Sequence, residues 1–442
     1  MKALRKTLML DKGLQPDAAM IMNSTWLRQA KGMYRGLAGL ELEPSITAKW
    51  DATASWPFPQ VLNLRRELIL CGETTIQRVN ADWSLTTLKS GVTAAEFWQV
   101  VDFGDVYYLA SGKQVFIRNV TEETLVEVTY SAFPKVATFC RFKGQIVGGN
   151  ALVAFQDADE RFALWSGIGR SSFIPDWKNE AGWMDLEIGT IQLCESFQDQ
   201  MVIFYGTEGI AGLYPAQNTF GYQKISELGL LSDYSAGFGD VHIAILQDGA
   251  LWQFTSEGMT PLGYKDYLSL LDPDGIRISY DYRHKAFYIT DGLISYIFAN
   301  GHLTEGNTKP TSIIMLDGTL LAPTKQLGAA AVLLETAWQD LNLVGMKSVE
   351  FLELGMLCDG AVQATSRVNY NLGVKEQLVP WKPVNESGYC YVSGTGNKFT
   401  LLVKLISGSL FRLDYITYGV KLSDNRIQNQ LQTISDRSWD AS

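Results

Sequence analysis

The sequence has few of the residues that usually form cross-links or cross membranes. Its 442 residues include five cysteines, which are widely spaced and form no Cys-x-x-Cys pair. An odd number of cysteines without such spacing disfavours a disulfide framework or a zinc knuckle, and it predicts reduced thiols in the core. No apolar run approaches the roughly 18 residues of a spanning helix, and the first ten residues lack an apolar stretch with a cleavage site. We therefore expect a soluble chain without a secretion signal.

Catalytic and metal-binding signatures are also scarce. The three histidines, His242, His284 and His302, share no ligand spacing such as His-Glu-x-x-His. No Gly-x-Ser-x-Gly elbow, Walker loop or strand-linked Gly-x-Gly-x-x-Gly occurs in the sequence. We therefore predict no catalytic residue, no cofactor and no metal, and we expect a non-enzyme. His242 and His284 are expected to be hydrogen-bonded structural residues.

The composition that is present is typical of a globular protein with an uneven charge. Hydrophobic residues make up 46% and charged residues 19% of the chain, which excludes the disordered and collagen-like classes. The net charge is −10, yet the first 36 residues carry seven basic and two acidic side chains. A basic N-terminal arm thus precedes an acidic body. Such an arm suits a partner subunit, nucleic acid or a merely solvated terminus, whereas the acidic body disfavours a tight wrap around DNA.

Short strands separated by tight turns dominate the sequence from about residue 60. Runs rich in Val, Ile, Leu, Phe, Tyr and Trp are interrupted every few residues by Gly, Asn or Asp, which indicates an all-β chain. Asx-Gly dipeptides favour hairpin turns because both residues tolerate positive φ. They occur at Asp248-Gly249, Asp274-Gly275, Asp291-Gly292, Asn300-Gly301, Asp317-Gly318 and Asp359-Gly360.

A repeat organises these strands. Its unit is an aromatic residue or leucine, a polar turn, an apolar strand, a second turn and another apolar strand, and it starts at positions 64, 103, 142, 197, 238 and 282. The spacings of 39, 39, 55, 41 and 44 residues are typical of four-stranded propeller blades. We therefore predict an all-β fold with a six- to seven-bladed β-propeller, the seventh blade being completed by residues 313–323 with an N-terminal strand. A β-sandwich array with accidental spacing is the alternative.

The domain boundaries follow from changes in this pattern of strands and turns along the sequence. We predict an N-terminal arm at 1–58, the propeller at 59–325, a C-terminal β-sandwich-like domain at 326–424 and a polar tail at 425–442. Within the long interval from 142 to 197, a Trp- and Gly-rich insertion is expected to project as a loop. Residues 327–341 have helical propensity, although alternating strands follow them.

Acidic residues recur beside the predicted blade turns, at Asp102, Asp105, Asp199, Asp240 and Asp281. A propeller can hold two carboxyls about 5 to 5.5 Å apart at its tunnel for glycoside hydrolysis. The repetition at equivalent turns instead favours a structural role in capping turns.

One segment resembles a known family. Leu164-Trp165-Ser166-Gly167-Ile168-Gly169, followed by residues 174–177 and 181–186, resembles the Trp-Ser-Gly…Trp…Gly pattern of tail-nozzle proteins of short-tailed bacteriophages, also called tail hub or packaged-DNA stabilisation proteins. The strand pairs at 191–213, the arm at 13–36 and the segment 334–349 are similar to the same family. The likeness covers most of the chain and involves Gly and Trp patterns rather than a catalytic signature.

The resemblance implies a structural role in the virion tail. It implies a homo-oligomeric, hexameric ring below the portal and tail adaptor, assembled in the bacterial cytoplasm, which retains packaged double-stranded DNA and conducts it during ejection. Tail fibre or needle proteins are further expected partners, and no membrane-spanning segment is expected. The basic arm and exposed aromatic residues are the predicted interface. These residues are Lys2, Arg5, Lys6, Trp26, Arg28, Trp177 and Trp183.

Two other functions remain open at this point. A propeller glycosidase or lyase acting on a host polysaccharide would need clustered carboxylates at the tunnel mouth. A carbohydrate- or protein-binding propeller, such as a receptor-recognition protein of the virion, would be favoured by exposed tryptophans in the 165–183 insertion.

Overall fold

The computed structural model describes most of the chain, which folds almost entirely as β-strands. The described ranges are 4–17, 25–51, 58–64, 67–93, 97–104, 106–112, 114–119, 124–128, 133–152, 159–173, 180–217, 219–327, 332–340, 346–369 and 376–422. The chain divides into two compact units. The propeller unit comprises Ser45–Ser295 and Thr308–Leu327, and the sandwich unit comprises Met1–Pro44, Tyr296–Asn307 and Gly328–Ser442.

The N-terminal strands contribute to both units. The first four, which belong to the sandwich unit, are β1 (Leu4–Met9), β2 (Leu27–Lys31), β3 (Met33–Arg35) and β4 (Leu40–Leu42). The strand β5 (Ile46–Asp51) belongs to the propeller unit.

Five antiparallel four-stranded blades follow, each with its strands in sequence order. Blade 1 is β6 (Gln60–Asn63), β7 (Leu68–Cys71), β8 (Thr75–Val79) and β9 (Leu85–Ser90). Blade 2 is β10 (Gln99–Phe103), β11 (Val106–Ser111), β12 (Gln114–Asn119) and β13 (Thr124–Glu127). Blade 3 is β14 (Lys135–Phe142), β15 (Gln145–Leu152), β16 (Asp159–Trp165) and β17 (Gly182–Asp185). Blade 4 is β18 (Ile191–Phe197), β19 (Met201–Gly206), β20 (Ile210–Ala216) and β21 (Thr219–Ser226). Blade 5 is β22 (Ala236–Phe238), β23 (His242–Ile245), β24 (Leu251–Thr255) and β25 (Gly258–Gly263).

The rest of the propeller unit is less regular. A short helix α1 (Lys265–Leu268) and a 3-10 turn (Pro273–Gly275) lead into the hairpin β26 (Arg277–Asp281) and β27 (Ala286–Thr290). The next two strands, β28 (Ser295–Ala299) and β29 (His302–Glu305), pair with each other and, from Tyr296 onward, belong to the sandwich unit. Blade 6 consists of β30 (Thr308–Pro310), β31 (Ile314–Leu316) and β32 (Thr319–Leu327), together with β5.

The N-terminal strand predicted to complete the last blade is confirmed. In blade 6 both β30 and β31 pair with β32, and β5 runs parallel to β32 with Ile46 opposite Leu320. Since blade 6 thus joins strands from both ends of the propeller unit, its pairing holds the ring together.

Apolar side chains fill the spaces between neighbouring blades. Four buried clusters link blades 1 and 2, 2 and 3, 3 and 4, and 4 and 5. The hairpin β26–β27 contacts blade 5 through β22 and blade 6 through β30. Ile314 and Leu321 of blade 6 pack with Val61 and Leu70 of blade 1, so the ring is closed. The all-β fold is therefore a β-propeller with six four-stranded blades and the β26–β27 hairpin between blades 5 and 6, since an isolated blade would leave both apolar faces exposed.

Two facing sheets form the sandwich unit. Its remaining strands are β33 (Val332–Thr336), β34 (Lys347–Cys358), β35 (Val362–Asn369), β36 (Glu376–Leu378), β37 (Lys382–Pro383), β38 (Tyr389–Cys390), β39 (Gly394–Gly396), β40 (Lys398–Leu405) and β41 (Phe411–Leu422). One sheet has the order β3-β4-β41-β34-β38, with β1 on β41 and β39 on β34. The other has the order β28-β29-β2-β33-β40-β35-β36, with β37 on β35. Phe399 of β40 meets Tyr418 of β41 edge-to-face, with ring centroids 5.8 Å apart.

Several sequence expectations differ from this structure. Despite the helical propensity of residues 327–341, Val332–Thr336 pairs as β33 with β2 and β40. The insertion expected to be a loop supplies β16 and β17 of blade 3. The described residues of the segment predicted as an arm at 1–58 include strands β1 to β5, with Lys6 of β1 opposite Tyr418 of β41. The predicted tail at 425–442 lies outside the described residues.

The predicted thiols lie in the core. Cys71, Cys140, Cys194 and Cys390 are buried, and Cys358 is partly buried. Within the described ranges, no helix has the length and apolar character needed to cross a membrane.

Candidate functional site

The first strands of the blades surround the propeller axis. The strand β10 contacts β14, β14 contacts β18, and β22 contacts β26, so these axial strands are neighbours around the ring. Their N-terminal ends lie at one end of the axis and their C-terminal ends at the other, because the blades repeat the same strand order. The side chains at these two ends are the candidate functional groups of the propeller unit.

Buried polar side chains join the axial strands of blades 2, 3 and 4. The amide oxygen of Gln99 accepts a hydrogen bond from the Thr138 hydroxyl at 2.6 Å, and the Gln99 amide nitrogen donates to the backbone oxygen of Cys194 at 3.2 Å. The backbone N–H of Cys194 in turn donates to Thr138 Oγ1 at 2.8 Å. These hydrogen bonds give the buried polar atoms of Gln99 and Thr138 partners, which keeps this polar network stable within an apolar core.

A cavity opens beside this network, at the N-terminal ends of the axial strands. Its volume is about 280 Å³, and its polar lining comes from Asn150, Thr190, Gln192 and Asp233. Gln192 Nε2 donates to Asp233 Oδ1 at 2.5 Å and so links blade 4 to the residues before blade 5. The sequence analysis did not single out these residues. The 41-residue separation of Gln192 and Asp233 matches the blade repeat, and that spacing is the signal that could have found the pair.

The opposite end of the axis holds the turn aspartates. Asp281 accepts hydrogen bonds from the backbone N–H groups of Arg283 and His284, and its other oxygen lies 2.5 Å from Nδ1 of His284. Asp240 forms an ion pair with Lys285 at 2.8 Å, which joins blade 5 to the β26–β27 hairpin. Asp199 adopts a left-handed conformation in the turn after β18, with φ +54°. The capping role predicted for the turn aspartates is confirmed for Asp281. Asp105 lies outside the described residues, and Asp102 lies within β10.

A half-buried carboxyl, Glu195, and a buried histidine, His242, lie near this end. Burial raises the pKa of Glu195 to about 6, although hydrogen bonds from the N–H and hydroxyl of Ser196 oppose this shift. Burial lowers the pKa of His242 to about 3, and its Nδ1 lies 3.0 Å from the Tyr205 hydroxyl. His242 also packs edge-to-face on Phe197. The predicted structural role of His242 is thereby confirmed.

The Trp-Ser-Gly motif builds the outer half of blade 3. Trp165 of β16 lies opposite Gly182 of β17, and its indole N–H donates to the Glu180 carbonyl at 2.7 Å. The Ser166 hydroxyl oxygen accepts the N–H of Ile146 at 2.9 Å. The motif residues therefore fix strand pairing within a blade.

The predicted interface residues are distributed over both units. In the sandwich unit, Arg5 and Lys6 lie on β1, with the Arg5 guanidinium 5.4 Å from the Phe351 ring. Trp26 meets His302 edge-to-face, and Arg28 forms an ion pair with Glu335 at 3.0 Å. In the propeller unit, Trp183 lies on β17 and is 42% exposed. Lys2 and Trp177 lie outside the described residues.

The described part of the chain contains no group of three or more His, Cys, Asp or Glu residues placed to hold a metal ion.

Comparisons with known proteins identify similar folds only. No protein-family model matches the chain. No curated protein matches it. Among solved structures, virginiamycin B lyase from Staphylococcus aureus is similar at 10% identity and a TM-score of 0.41, covering 64% of this chain and 93% of the lyase. The WD40 domain of Pan2 from Neurospora crassa is similar at 9% identity and a TM-score of 0.39, covering 60% of this chain and 83% of that domain.

Proposed function

We propose that this chain is a non-enzymatic structural subunit of a bacteriophage tail. In this proposal, copies assemble into a hexameric ring, the nozzle or hub, below the portal and tail adaptor of the virion. The ring retains packaged double-stranded DNA and conducts it during ejection. Assembly takes place in the cytoplasm of the host bacterium, and tail fibre or needle proteins are further partners.

The observation that carries this proposal is the role of the Trp-Ser-Gly motif. Trp165, Ser166 and Gly182 are among the residues on which the resemblance to tail-nozzle proteins rests, and their strand pairing and hydrogen bonds lie within blade 3. A motif that builds a blade supports a family relationship based on architecture. It gives no support to a relationship based on shared catalytic chemistry.

The use of the turn aspartates also supports a structural role. Asp281 caps its own turn, Asp240 pairs with Lys285, and Asp248 accepts hydrogen bonds from the Ala250 N–H and the Trp252 indole. Carboxylates committed to turns and to inter-blade ion pairs stabilise the ring. A glycosidase would instead use a pair of carboxyls facing its substrate.

The overall charge suits a conduit for DNA. The chain carries a net charge of −10, and an acidic lumen repels the phosphate backbone, so that DNA passes without adhering. The basic residues Arg5 and Lys6 on β1 are exposed and suit contacts with an acidic neighbour.

The exposed Trp183 offers a direct test of ring assembly. Large aromatic side chains are enriched at the centres of protein interfaces. We expect the variant Trp183→Ser to fold normally but to be incorporated into tails in reduced amounts, as measured by mass determination of purified tails. The matched control is Trp83→Ser, which alters a tryptophan of similar exposure, 36%, in blade 1. Equal incorporation of both variants would show that Trp183 is not part of the ring interface. Absence of the wild-type chain from purified tails would contradict the proposed function.

A further inference from the structure

Two buried thiols meet where blade 3 packs against blade 4. Cys140 lies on β14 and Cys194 on β18, the axial strands of these blades. Both residues belong to the apolar cluster between the two blades, and they are 3% and 0% exposed. The Cys140 thiol is in hydrogen-bond contact with the Cys194 thiol. The two cysteines are 54 positions apart in the sequence, so the packing of the blades brings them together.

The backbones of both blades hold the Cys194 sulfur beside Cys140. The backbone N–H of Cys194 donates to Thr138 Oγ1 at 2.8 Å, and its Sγ lies 3.5 Å from the same oxygen. Thr138 and Cys140 lie on one face of β14, because side chains two positions apart in a strand point to the same side. Sγ of Cys194 is also 3.9 Å from the carbonyl oxygen of Val147, which is the residue opposite Cys140 on β15. Contacts on both β14 and β15 therefore fix this arrangement.

The other three cysteines lie elsewhere and serve as internal controls. Cys71 packs in the apolar cluster between blades 1 and 2, and Cys358 and Cys390 belong to the sandwich unit. The Cys358 sulfur accepts the Gly360 N–H at 3.3 Å. The Cys390 sulfur lies 3.8 Å from the carbonyl oxygen of Ala364.

We propose that Cys140 and Cys194 form a reversible disulfide, on oxidation by a peroxide, that links blade 3 to blade 4 and stabilises their contact. One thiolate attacks a peroxide oxygen, the O–O bond breaks, and a sulfenic acid and hydroxide form. The second thiolate attacks the oxidised sulfur, the S–S bond forms, and a second hydroxide leaves. The two thiol protons convert the two hydroxides to water, and the two sulfurs together supply the two electrons that reduce the peroxide. The inference stands independently of the proposed tail function.

Burial controls the rate of this oxidation. Burial raises the pKa of the Cys140 thiol, and the neighbouring Cys194 and Glu195 raise it further. Because the thiolate is the nucleophile, the first step is slow in the folded chain at neutral pH. The second step is favoured, since the other sulfur is already in contact with the oxidised one. We therefore expect the disulfide to form faster while the chain refolds in the presence of peroxide than after it has folded.

Peptide mapping after oxidation tests the proposal. The full chain is treated with one equivalent of hydrogen peroxide, in one sample when folded and in another during refolding from urea. Remaining thiols are blocked with iodoacetamide, and linked peptides are identified by mass spectrometry without reduction. We expect the loss of two of the five thiols and a single link, between Cys140 and Cys194. Dithiothreitol should restore both thiols, and Cys71, Cys358 and Cys390 should be alkylated in both samples.

Matched variants test whether the link stabilises the contact between blades. Oxidation should shift the urea midpoint of the wild type to higher urea, because a cross-link restricts the unfolded chain. Cys71→Ala, which removes a buried thiol from blade 1, should show the same link and the same shift. Cys140→Ala and Cys194→Ala should show neither.

The mapping of the wild type decides the outcome even where an alanine variant fails to fold. Absence of the link from both the folded and the refolding sample would overturn the proposal. A link from Cys140 or Cys194 to one of the other cysteines, or a urea midpoint of the linked wild type that is no higher than that of the reduced chain, would overturn it as well.

Discussion

Gly182 lies against the indole of Trp165, its cross-strand partner in blade 3. A Cβ atom at position 182 would lie 2.7 Å from Cζ2 of Trp165. The indole is held on its other sides by the Glu180 carbonyl and by the Phe220 ring, whose centroid is 5.0 Å away. Since the indole has no free direction in which to move, glycine is the residue that this contact requires.

Substitution of Gly182 therefore tests the structural role of the Trp-Ser-Gly motif in blade 3. We expect Gly182→Ala to lower the free energy of unfolding by about 1–3 kcal/mol, the usual cost of overpacking, as measured by urea denaturation followed by circular dichroism. In a Trp165→Phe background the smaller ring leaves space for the added methyl group, so the cost of Gly182→Ala should shrink. An equal cost in both backgrounds would show that the contact is not responsible.

The propeller could be predicted because its signals are local and repeated. Each blade carries its own apolar runs and tight turns, and the start positions recur at intervals near 40 residues. The strands at the two ends of the Trp-rich insertion were not predicted, for the opposite reason. The strands β16 and β17 are separated by sixteen residues without a short hairpin turn, so no local signal marks their pairing.

A buried ion pair between blades 1 and 2 provides a second prediction. Arg118 on β12 is 1% exposed and donates to both oxygens of Glu67, at 2.7 and 2.8 Å. We expect Glu67→Gln to lower the free energy of unfolding by roughly 3–5 kcal/mol, because it removes the carboxylate charge that accepts two hydrogen bonds from a buried guanidinium.

The control for this buried ion pair is an exposed ion pair on blade 4. Glu227 is 81% exposed and pairs with Lys224, so Glu227→Gln should change the free energy of unfolding by less than about 1 kcal/mol. Similar effects of the two substitutions in urea denaturation would contradict the account of the Arg118 and Glu67 pair.

Glu195 provides a pH-dependent prediction. Burial raises the pKa of this carboxyl from 4.5 to about 6, so the folded chain binds the proton more tightly than the unfolded chain does. The contribution of Glu195 to stability is therefore greatest below pH 4.5 and is lost as the pH rises through 6. We expect Glu195→Gln to remove this loss, raising stability at pH 8 relative to pH 4 by up to about 2 kcal/mol compared with the wild type.

The matched control for Glu195 lies in the same blade. Glu208 is exposed in the turn between β19 and β20, and Glu208→Gln controls for the loss of one negative charge in the same urea denaturation series. A Glu195→Gln profile parallel to that of the wild type would contradict the prediction.

His242 is expected to give a pH dependence of opposite sign. Burial lowers the pKa of His242 from 6.5 to about 3, so the unfolded chain takes up a proton that the folded chain excludes. This contribution to stability is present above pH 6.5 and is lost as the pH falls towards 3. His242→Phe, which retains an aromatic ring beside Phe197, should reduce the loss of stability between pH 6.5 and 3 in urea denaturation. An unchanged acid profile would show that His242 does not titrate on unfolding.

The lining of the cavity and the register of the blade closure were not predicted from the sequence. Asn150, Gln192 and Asp233 come from three places in the chain and belong to no motif, so their proximity depends on how the blades pack. The parallel pairing of β5 with β32 joins residues about 270 positions apart. The residue pattern of β5 does not indicate which residues of β32 lie opposite it. The β33 segment was ambiguous because its helical propensity is overridden by pairing with β2 and β40.

The most direct test of the account is negative-stain imaging, with mass determination, of phage particles produced with and without this chain. The proposal predicts a ring-shaped density at the tail of complete particles. It also predicts that particles lacking the chain package DNA but leak it or lack the tail tip. Tails of normal appearance that retain DNA in the absence of the chain would contradict the proposed function.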